Sequence, residues 1–145
     1  MGKIKIRMMR EDDVKAVTTI QSKVLGTRKH DFKSLKARAM SARSPVMPYV
    51  AETDGQVIGF VMGETSEGEY GVPGTVGWID SIGVLPDYQG QGVARMLVEE
   101  LISSMCKVGV CKVYTLVNWH DGDMLRFFDK LGFTHGDMIN LERKT

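Results

Sequence analysis

The sequence has no long apolar run and almost no net charge, and each absence excludes a class of protein. Its apolar runs extend over only a few residues, and the first five residues lack the apolar core of a signal peptide. The 19 Lys and Arg residues nearly balance 18 Asp and Glu residues, which gives a net charge of +1 and no broad footprint for nucleic acid or an anionic membrane. We therefore expect a cytoplasmic protein with no nucleic-acid or membrane partner, which binds anions only locally.

Cysteine and histidine are also scarce. The two cysteines, Cys106 and Cys111, form a C-x4-C pair without the further ligands that a zinc site needs. The three histidines, His30, His120 and His135, do not have the spacing of metal ligands. We predict no metal site, and we interpret the cysteines as reduced, buried structural thiols.

Composition and periodicity indicate one domain over residues 1–145. With 43% hydrophobic and 26% charged residues, the chain is typical of a globular protein of this length. The apolar spacing predicts a mixed α/β layer architecture, in the order strand, two helices, three strands, helix, strand, helix, strand. The strands are predicted at Lys3–Met8, Tyr49–Glu52, Gln56–Glu64, Trp78–Val84, Lys112–Val117 and Met138–Leu141. The first helix is predicted to begin at the acidic residues Glu11, Asp12 and Asp13, to place Val14, Val17, Ile20 and Val24 at helical spacing, and to end at Gly26. The other helices are predicted at Asp31–Ala42, Gln91–Lys107 and Gly122–Leu131. The pair Asp54-Gly55 predicts a tight hairpin turn.

A glycine-containing loop precedes the longest predicted helix. Gly90 and Gly92 free the backbone at the helix start, where unpaired amides and the positive end of the helix dipole favour an anion such as pyrophosphate. No Gly-Lys-Ser or Gly-Lys-Thr follows, which excludes a P-loop, and Arg95 stands where the dinucleotide fingerprint needs its third glycine. The plain alternative is a strand-to-helix turn, for which one glycine usually suffices.

The segment Gln89-Gly90-Gln91-Gly92-Val93-Ala94 resembles the Q/R-x-x-G-x-G/A motif of the GNAT family of N-acetyltransferases. The preceding Val84-Leu85-Pro86 is similar to the V-x-P with which that family ends a strand. Further on, Lys130-Leu131-Gly132-Phe133 resembles the K-x-G-F element after a short helix. The resemblance implies the acyl-CoA N-acyltransferase fold, with a central, mostly antiparallel sheet whose central strands splay apart and are flanked by helices.

The resemblance also implies a binding mode for acetyl-CoA, with no metal. The pantetheine arm would lie between the strand at Ile82 and the strand at Thr115, and the amide of Val84 would polarise the thioester carbonyl. The residues that would bind the coenzyme are Ile82, Gly83 and Val84 for the arm and Gln89, Gly90, Gln91, Gly92, Val93 and Ala94 for the pyrophosphate.

Acetyl transfer needs an uncharged amine. Because the pKa of a lysine-like amine is about 10.4, most of it is protonated at neutral pH and must lose a proton before it can attack. Simple alternation places Trp78, Asp80, Ile82 and Val84 on one face, where Asp80 is the only ionisable residue. We predict Asp80 as a base acting through water; the alternative is a carboxylate that only forms hydrogen bonds at the sheet. His120, at the open edge of the expected cleft, is the second candidate base, with a solvated loop histidine as its alternative.

The chain departs from the family where Phe128 replaces a tyrosine that often protonates the leaving thiolate. Tyr114 or Tyr88 is an alternative acid. Because the pKa of a thiol is about 8.5, the thiolate can also leave without being protonated by an acid. Asp121 stands where the family often has asparagine; it is also an alternative base, and it can still cap the following helix at Asp123 or Met124.

An acidic cluster borders the loop on the expected acceptor side and consists of Glu64, Glu67 and Glu69 with Tyr70. It is either a rim that attracts a cationic amine or a set of solvated charges. The sequence thus predicts an N-acetyltransferase that moves an acetyl group from acetyl-CoA to a primary amine, on a small molecule or a protein, in a ternary complex. The alternative is a non-catalytic acyl-CoA sensor or interaction module, motivated by Phe128. A homodimer is left open.

Overall fold

The computed structural model describes residues 2–24, 46–68 and 74–145. The chain divides into two compact units, Met1–Thr115 and Leu116–Thr145. The first unit contains the sheet and two long helices, and the second contains one short helix. The helix predicted at Asp31–Ala42 lies outside the described residues, and a single domain over the whole chain stays a prediction.

From the first strand to the last helix, the described elements follow the predicted order with shifted bounds. The strands are β1 Lys5–Met8, β2 Val46–Thr53, β3 Gln56–Glu67, β4 Thr75–Val84 and β5 Val113–Thr115. The helices are α1 Val14–Val24, α2 Val93–Lys107 and α3 Gly122–Lys130, with short 3-10 turns at Glu11–Asp13 and Pro86–Tyr88. The structure confirms a mixed α/β fold.

Five strands form one sheet in the order β1-β2-β3-β4-β5, antiparallel except for the parallel β4–β5 pair. The β2–β3 turn has φ of 50° at Asp54 and 76° at Gly55, the positive angles of a tight hairpin, which confirms the predicted turn. β2, β3 and β4 are longer than predicted because each finds a neighbour whose backbone groups extend the ladder.

Helices cover both faces of the sheet. On one face, Phe60 and Met62 of β3 join Val17 and Ile20 of α1 in a buried cluster. On the other face, a Cβ added at Gly63 or Gly77 would come within 3 Å of Met105, so α2 packs directly on the backbone there. Val93, Leu97, Val98 and Leu101 complete the buried stripe of α2.

A polar network joins β1, the start of α1 and β2. The guanidinium of Arg7 donates to both carboxylate oxygens of Asp13 at 2.7 and 2.9 Å, and reaches Glu52 at 3.4 Å. Asp13 is 5% exposed and also accepts from the backbone amide of Arg10 at 2.7 Å. The hydrogen bond from Arg7 is the main cause of the lowered pKa of Asp13. The network therefore fixes the angle at which the chain enters α1.

The second unit differs from the prediction. Phe128 is buried, with its ring edge-on to Phe127 and Phe133 at centroid distances of 5.0 Å. The strand predicted at Met138–Leu141 is wrong, because this stretch has no regular secondary structure and Ile139 is 82% exposed. Strand propensity alone does not form a strand without a partner to receive its hydrogen bonds.

Several solvent-facing positions were also predicted wrongly. Cys106 and Cys111 are exposed rather than buried, because Cys106 lies beside Met105 on α2 but points off the buried stripe. Met96 of α2 and Val108, which follows that helix, are apolar residues at helical spacing but are 39% and 58% exposed. None of the helices described here is long and apolar enough to span a membrane.

Candidate active site

A β-bulge interrupts β4 at Asp80. Met62 of β3 is opposite Ser81, but the next residue, Gly63, is opposite Ile79, so Asp80 is the extra residue of β4. Bulges bend a strand and redirect its side chains, and they are common next to active sites. The bulge places the exposed Asp80 outside the regular ladder.

The bulge overturns the predicted face of Asp80. Gly77 contacts Met105 of α2, whereas a Cβ on Gly83 would contact Phe60 and Ile20 on the α1 face. Residues 77 and 83 would share a face in an uninterrupted strand, so the alternation shifts by one residue between them. Trp78 therefore lies on the α1 face, while Ile82 and Val84 lie on the α2 face. The inference that all four residues share one face was wrong.

The end of β4 has an edge without a strand partner. β5 pairs with β4 only from Gly77 to Ile79, and the described residues supply no strand beside the rest of β4 on that edge. The Leu85 amide donates to the Ile58 carbonyl of β3 at 2.8 Å. Because amides in an extended strand alternate in direction, those of Ile82 and Val84 point away from β3, towards the unpaired edge.

The same alternation separates Gly83 from its neighbours. Its amide and carbonyl point towards Phe60 on β3, with which Gly83 is paired. Only Ile82 and Val84 therefore present backbone groups to the edge.

The side chain of Gln89 closes this edge. Its Nε2 donates to the Val84 carbonyl at 2.9 Å. The loop thus folds back onto the strand end, after the 3-10 turn Pro86–Tyr88. Sequence reasoning assigned Gln89 to the pyrophosphate, and it missed this contact, which also positions the loop.

The helix start has the geometry of an anion site. Gly92 is the N-cap residue of α2 with φ of 82°, a conformation that a side chain rarely adopts. The first helical hydrogen bond runs from the Met96 amide to the Gly92 carbonyl, so the amides of Val93, Ala94 and Arg95 have no acceptor inside the helix. A Cβ at Gly92 would meet nothing within 4 Å, which leaves open space above the amides.

The second unit contains the other candidate base. His120 is exposed, and its backbone amide donates to Asn118 Oδ1 at 2.8 Å. Asp121 accepts from the Met124 amide at 3.1 Å, which confirms that it caps α3. Both residues line a shallow polar pocket with Gly122 and Arg126. Asp80 and His120 belong to different compact units.

The structure gives different surroundings to the three aromatic residues considered for the acid. Phe128 is a core residue of the second unit, so its ring serves packing there. Tyr114 is half-buried with its ring 5.1 Å from that of Trp78, and Tyr88 is half-buried in the 3-10 turn. In the predicted rim, Glu64 is half-buried and Glu67 exposed, while Glu69 and Tyr70 lie outside the described residues.

Metal ligands do not gather in the described ranges. No group of three or more His, Cys, Asp or Glu side chains there is placed to hold a metal ion.

Known proteins resemble this chain over nearly its full length. The model of the acetyltransferase (GNAT) family matches residues 14–133. An acetyltransferase of Pectobacterium atrosepticum is 27% identical over 97% of this chain and 95% of its own. The structure of a ribosomal-protein-alanine N-acetyltransferase from Brucella melitensis biovar Abortus 2308 has a TM-score of 0.78 at 16% identity, covering 99% of both chains. That of the aminoglycoside N-acetyltransferase AAC(6')-Iy in complex with CoA has a TM-score of 0.83 at 17% identity, covering 99% of this chain and 96% of the other.

Proposed function

Because the chain belongs to the acetyltransferase (GNAT) family, we propose that it transfers an acetyl group from acetyl-CoA to a primary amine by direct attack in a ternary complex. Membership makes the protein an acetyl-CoA-dependent N-acetyltransferase. The observation that carries the site is the end of β4, which has no strand partner beyond β3 among the described residues and is followed, after the loop at residues 85–92, by a helix start with open amides.

The coenzyme would bind mainly to the backbone. The Ile82 amide and carbonyl, directed to the edge, suit the pantetheine arm as an added strand. The Val84 carbonyl already accepts from Gln89, so Val84 would offer its amide to the thioester end of the arm. Gly83 would contact the arm without hydrogen bonds. The amides at the start of α2 suit the pyrophosphate. The loop residues proposed to surround the pyrophosphate are Gln89, Gly90, Gln91, Gly92, Val93 and Ala94.

In the chemical step the amine loses one proton, a carbon–nitrogen bond forms and the carbon–sulfur bond of the thioester breaks. The neutral amine attacks the thioester carbonyl, the carbon–sulfur bond breaks, and coenzyme A leaves as thiolate and is then protonated. Asp80 in the bulge would accept the amine proton through water, with His120 as the alternative base. The Val84 amide, directed to the edge, would stabilise the oxyanion.

A turnover assay tests the proposal. Thiol release from acetyl-CoA is measured with a panel of small amines and peptides, for the wild type and for Asp80→Ala and His120→Ala. We expect amine-dependent release. Tight acetyl-CoA binding with no product from any amine would support the rival function, a sensor or interaction module that only binds the coenzyme.

The C-terminal tail supports a homodimer. Ile139 and Leu141 are 82% and 84% exposed and are separated by one residue, so in an extended conformation both would lie on the same face. A second copy of the same tail is the partner we propose. The exposed thiols Cys106 and Cys111 fit a reducing compartment, which supports a cytoplasmic location.

A further inference from the structure

Three side chains form a row across neighbouring strands: Glu64 of β3, Trp78 of β4 and Tyr114 of β5. Glu64 is directly opposite Trp78, and Trp78 is paired with Tyr114. The two rings lie 5.1 Å apart between centroids at an angle of 34°. Residues paired in register share a face, with Cβ atoms about 5 Å apart for the antiparallel pair. We call this set the Glu64–Trp78–Tyr114 row.

The row begins where the apolar core on the α1 face ends. Phe60 and Met62 precede Glu64 on the same face of β3 and are buried against α1. The next position on that face is a carboxylate instead of a third apolar residue. All three members of the row are half-buried, so each keeps surface that a ligand can touch.

The chemistry of the row matches a cation. An ammonium group within about 6 Å of an aromatic centroid is attracted by the face of the ring. A carboxylate beside the rings adds a charge-assisted hydrogen bond.

We propose that the Glu64–Trp78–Tyr114 row binds a second cationic group of the acceptor, which makes the acceptor a diamine or a larger polycation. This inference rests on the proposed function, because it assumes that the reacting amine lies near Asp80. Asp80 follows Trp78 by two residues, so their Cα atoms lie within about 7 Å of each other even though the bulge breaks the alternation between them. The row therefore favours acceptors whose reacting nitrogen and second ammonium are joined by a short chain of about that length.

Kinetics with matched acceptors test the row. 1,5-Diaminopentane and 1-aminopentane carry the same reacting amine, but only the first has a second ammonium. We expect Glu64→Gln to raise KM for the diamine about tenfold, the effect of losing one charge-assisted contact, with kcat and KM for acetyl-CoA unchanged. KM for the monoamine should not move. Glu67→Gln is the control, because Glu67 is an exposed carboxylate on the opposite face of the same strand.

A binding measurement separates the row from catalysis. The chain has two tryptophans, so Trp119→Phe leaves Trp78 as the only reporter. Tetramethylammonium, which cannot be acetylated, should quench Trp78 fluorescence in this variant, and Glu64→Gln should remove the quenching.

The outcomes distinguish failure of the row from failure of the proposed function. If amines are acetylated but Glu64→Gln changes neither the diamine KM nor the quenching, the row is overturned and the transferase stands. If Glu64→Gln and Glu67→Gln raise the diamine KM equally, general electrostatic attraction explains the preference and the row is again overturned. If no amine is acetylated, the proposed function fails, and the quenching experiment still decides whether the row binds cations.

Discussion

Asp80 is the ionisable residue that the bulge singles out in β4. If it accepts the amine proton, Asp80→Asn should lower kcat by about 10² to 10⁴ near pH 7 with KM for acetyl-CoA unchanged. The deficit should shrink as pH rises towards the pKa of the amine, because the acceptor then loses its proton without help. A kcat/KM profile against pH measures this for both proteins. A deficit of equal size at every pH would contradict the role and favour a positioning effect.

His120 provides the comparison for this experiment. Both residues are exposed, so neither substitution should shift the unfolding midpoint appreciably. If His120→Ala reproduces the pH-dependent deficit and Asp80→Asn does not, the base is His120. The sequence nominated both residues as candidate bases, but it assigned Asp80 to a face by simple alternation. A bulge has no signature in the apolar pattern, which is why the face was wrong.

Asp13 makes a testable contribution to stability. Asp13→Asn should lower the free energy of unfolding by about 3 kcal/mol, because it leaves the guanidinium of Arg7 largely buried without its main partner. Urea unfolding measures the loss. Asp12→Asn is the control, since its contact with Arg10 is exposed and should change stability by under about 0.5 kcal/mol. Equal losses in the two variants would contradict the assignment.

The pH dependence of stability tests the same pair. The hydrogen bond from Arg7 lowers the pKa of Asp13 below its ordinary value of 3.8, so the unfolded chain binds a proton more readily than the folded one. The stabilisation is therefore complete above about pH 4 and is lost as pH falls through the folded-state pKa. The free energy of unfolding is measured for the wild type and for Asp13→Asn between about pH 5 and about pH 2. It should fall less steeply with decreasing pH in Asp13→Asn than in the wild type.

At the scale of elements, α2 begins at Val93, two residues after the start predicted from the sequence. Gly92→Glu should weaken CoA binding about a hundredfold, about 2.7 kcal/mol, by placing a like charge in the open space above the amides. Gly92→Asn is the matched control, because asparagine tolerates the positive φ better than most residues and carries no charge. Calorimetry gives both affinities. Wild-type affinity in Gly92→Glu would show that the pyrophosphate binds elsewhere.

The elements themselves were predictable to the extent that their stabilising contacts are local. The turn at Asp54-Gly55 and the helix that follows Gly92 depend on nearby residues, and both were found. The extension of β2 back to Val46 depends on pairing with Glu64 of β3, which no local pattern reports. The strand predicted at Met138–Leu141 failed for the converse reason, because the described chain offers it no partner.

At the scale of the whole molecule, pairing of the C-terminal tails of two copies would give each tail the strand partner that the described part of its own chain does not offer. An antiparallel pairing centred on Asn140 places Ile139 opposite Leu141 and Asp137 opposite Arg143, twice over by symmetry. All four residues fall on one face of each strand, so two apolar pairs would be flanked by two ion pairs. In this register two copies of the tail are therefore complementary in both their apolar residues and their charges.

This register predicts a specific rescue. Ile139→Asp should convert the protein from dimer to monomer in analytical ultracentrifugation, because it places carboxylates in the apolar centre. Arg143→Asp should weaken the dimer through like-charge contacts, and Asp137→Arg combined with Arg143→Asp should restore it. In a Cys106→Ser, Cys111→Ser background, Asn140→Cys should cross-link on the two-fold axis, whereas Glu142→Cys should not. A dimer that survives Ile139→Asp, or a double charge swap that fails to restore association, would place the interface elsewhere.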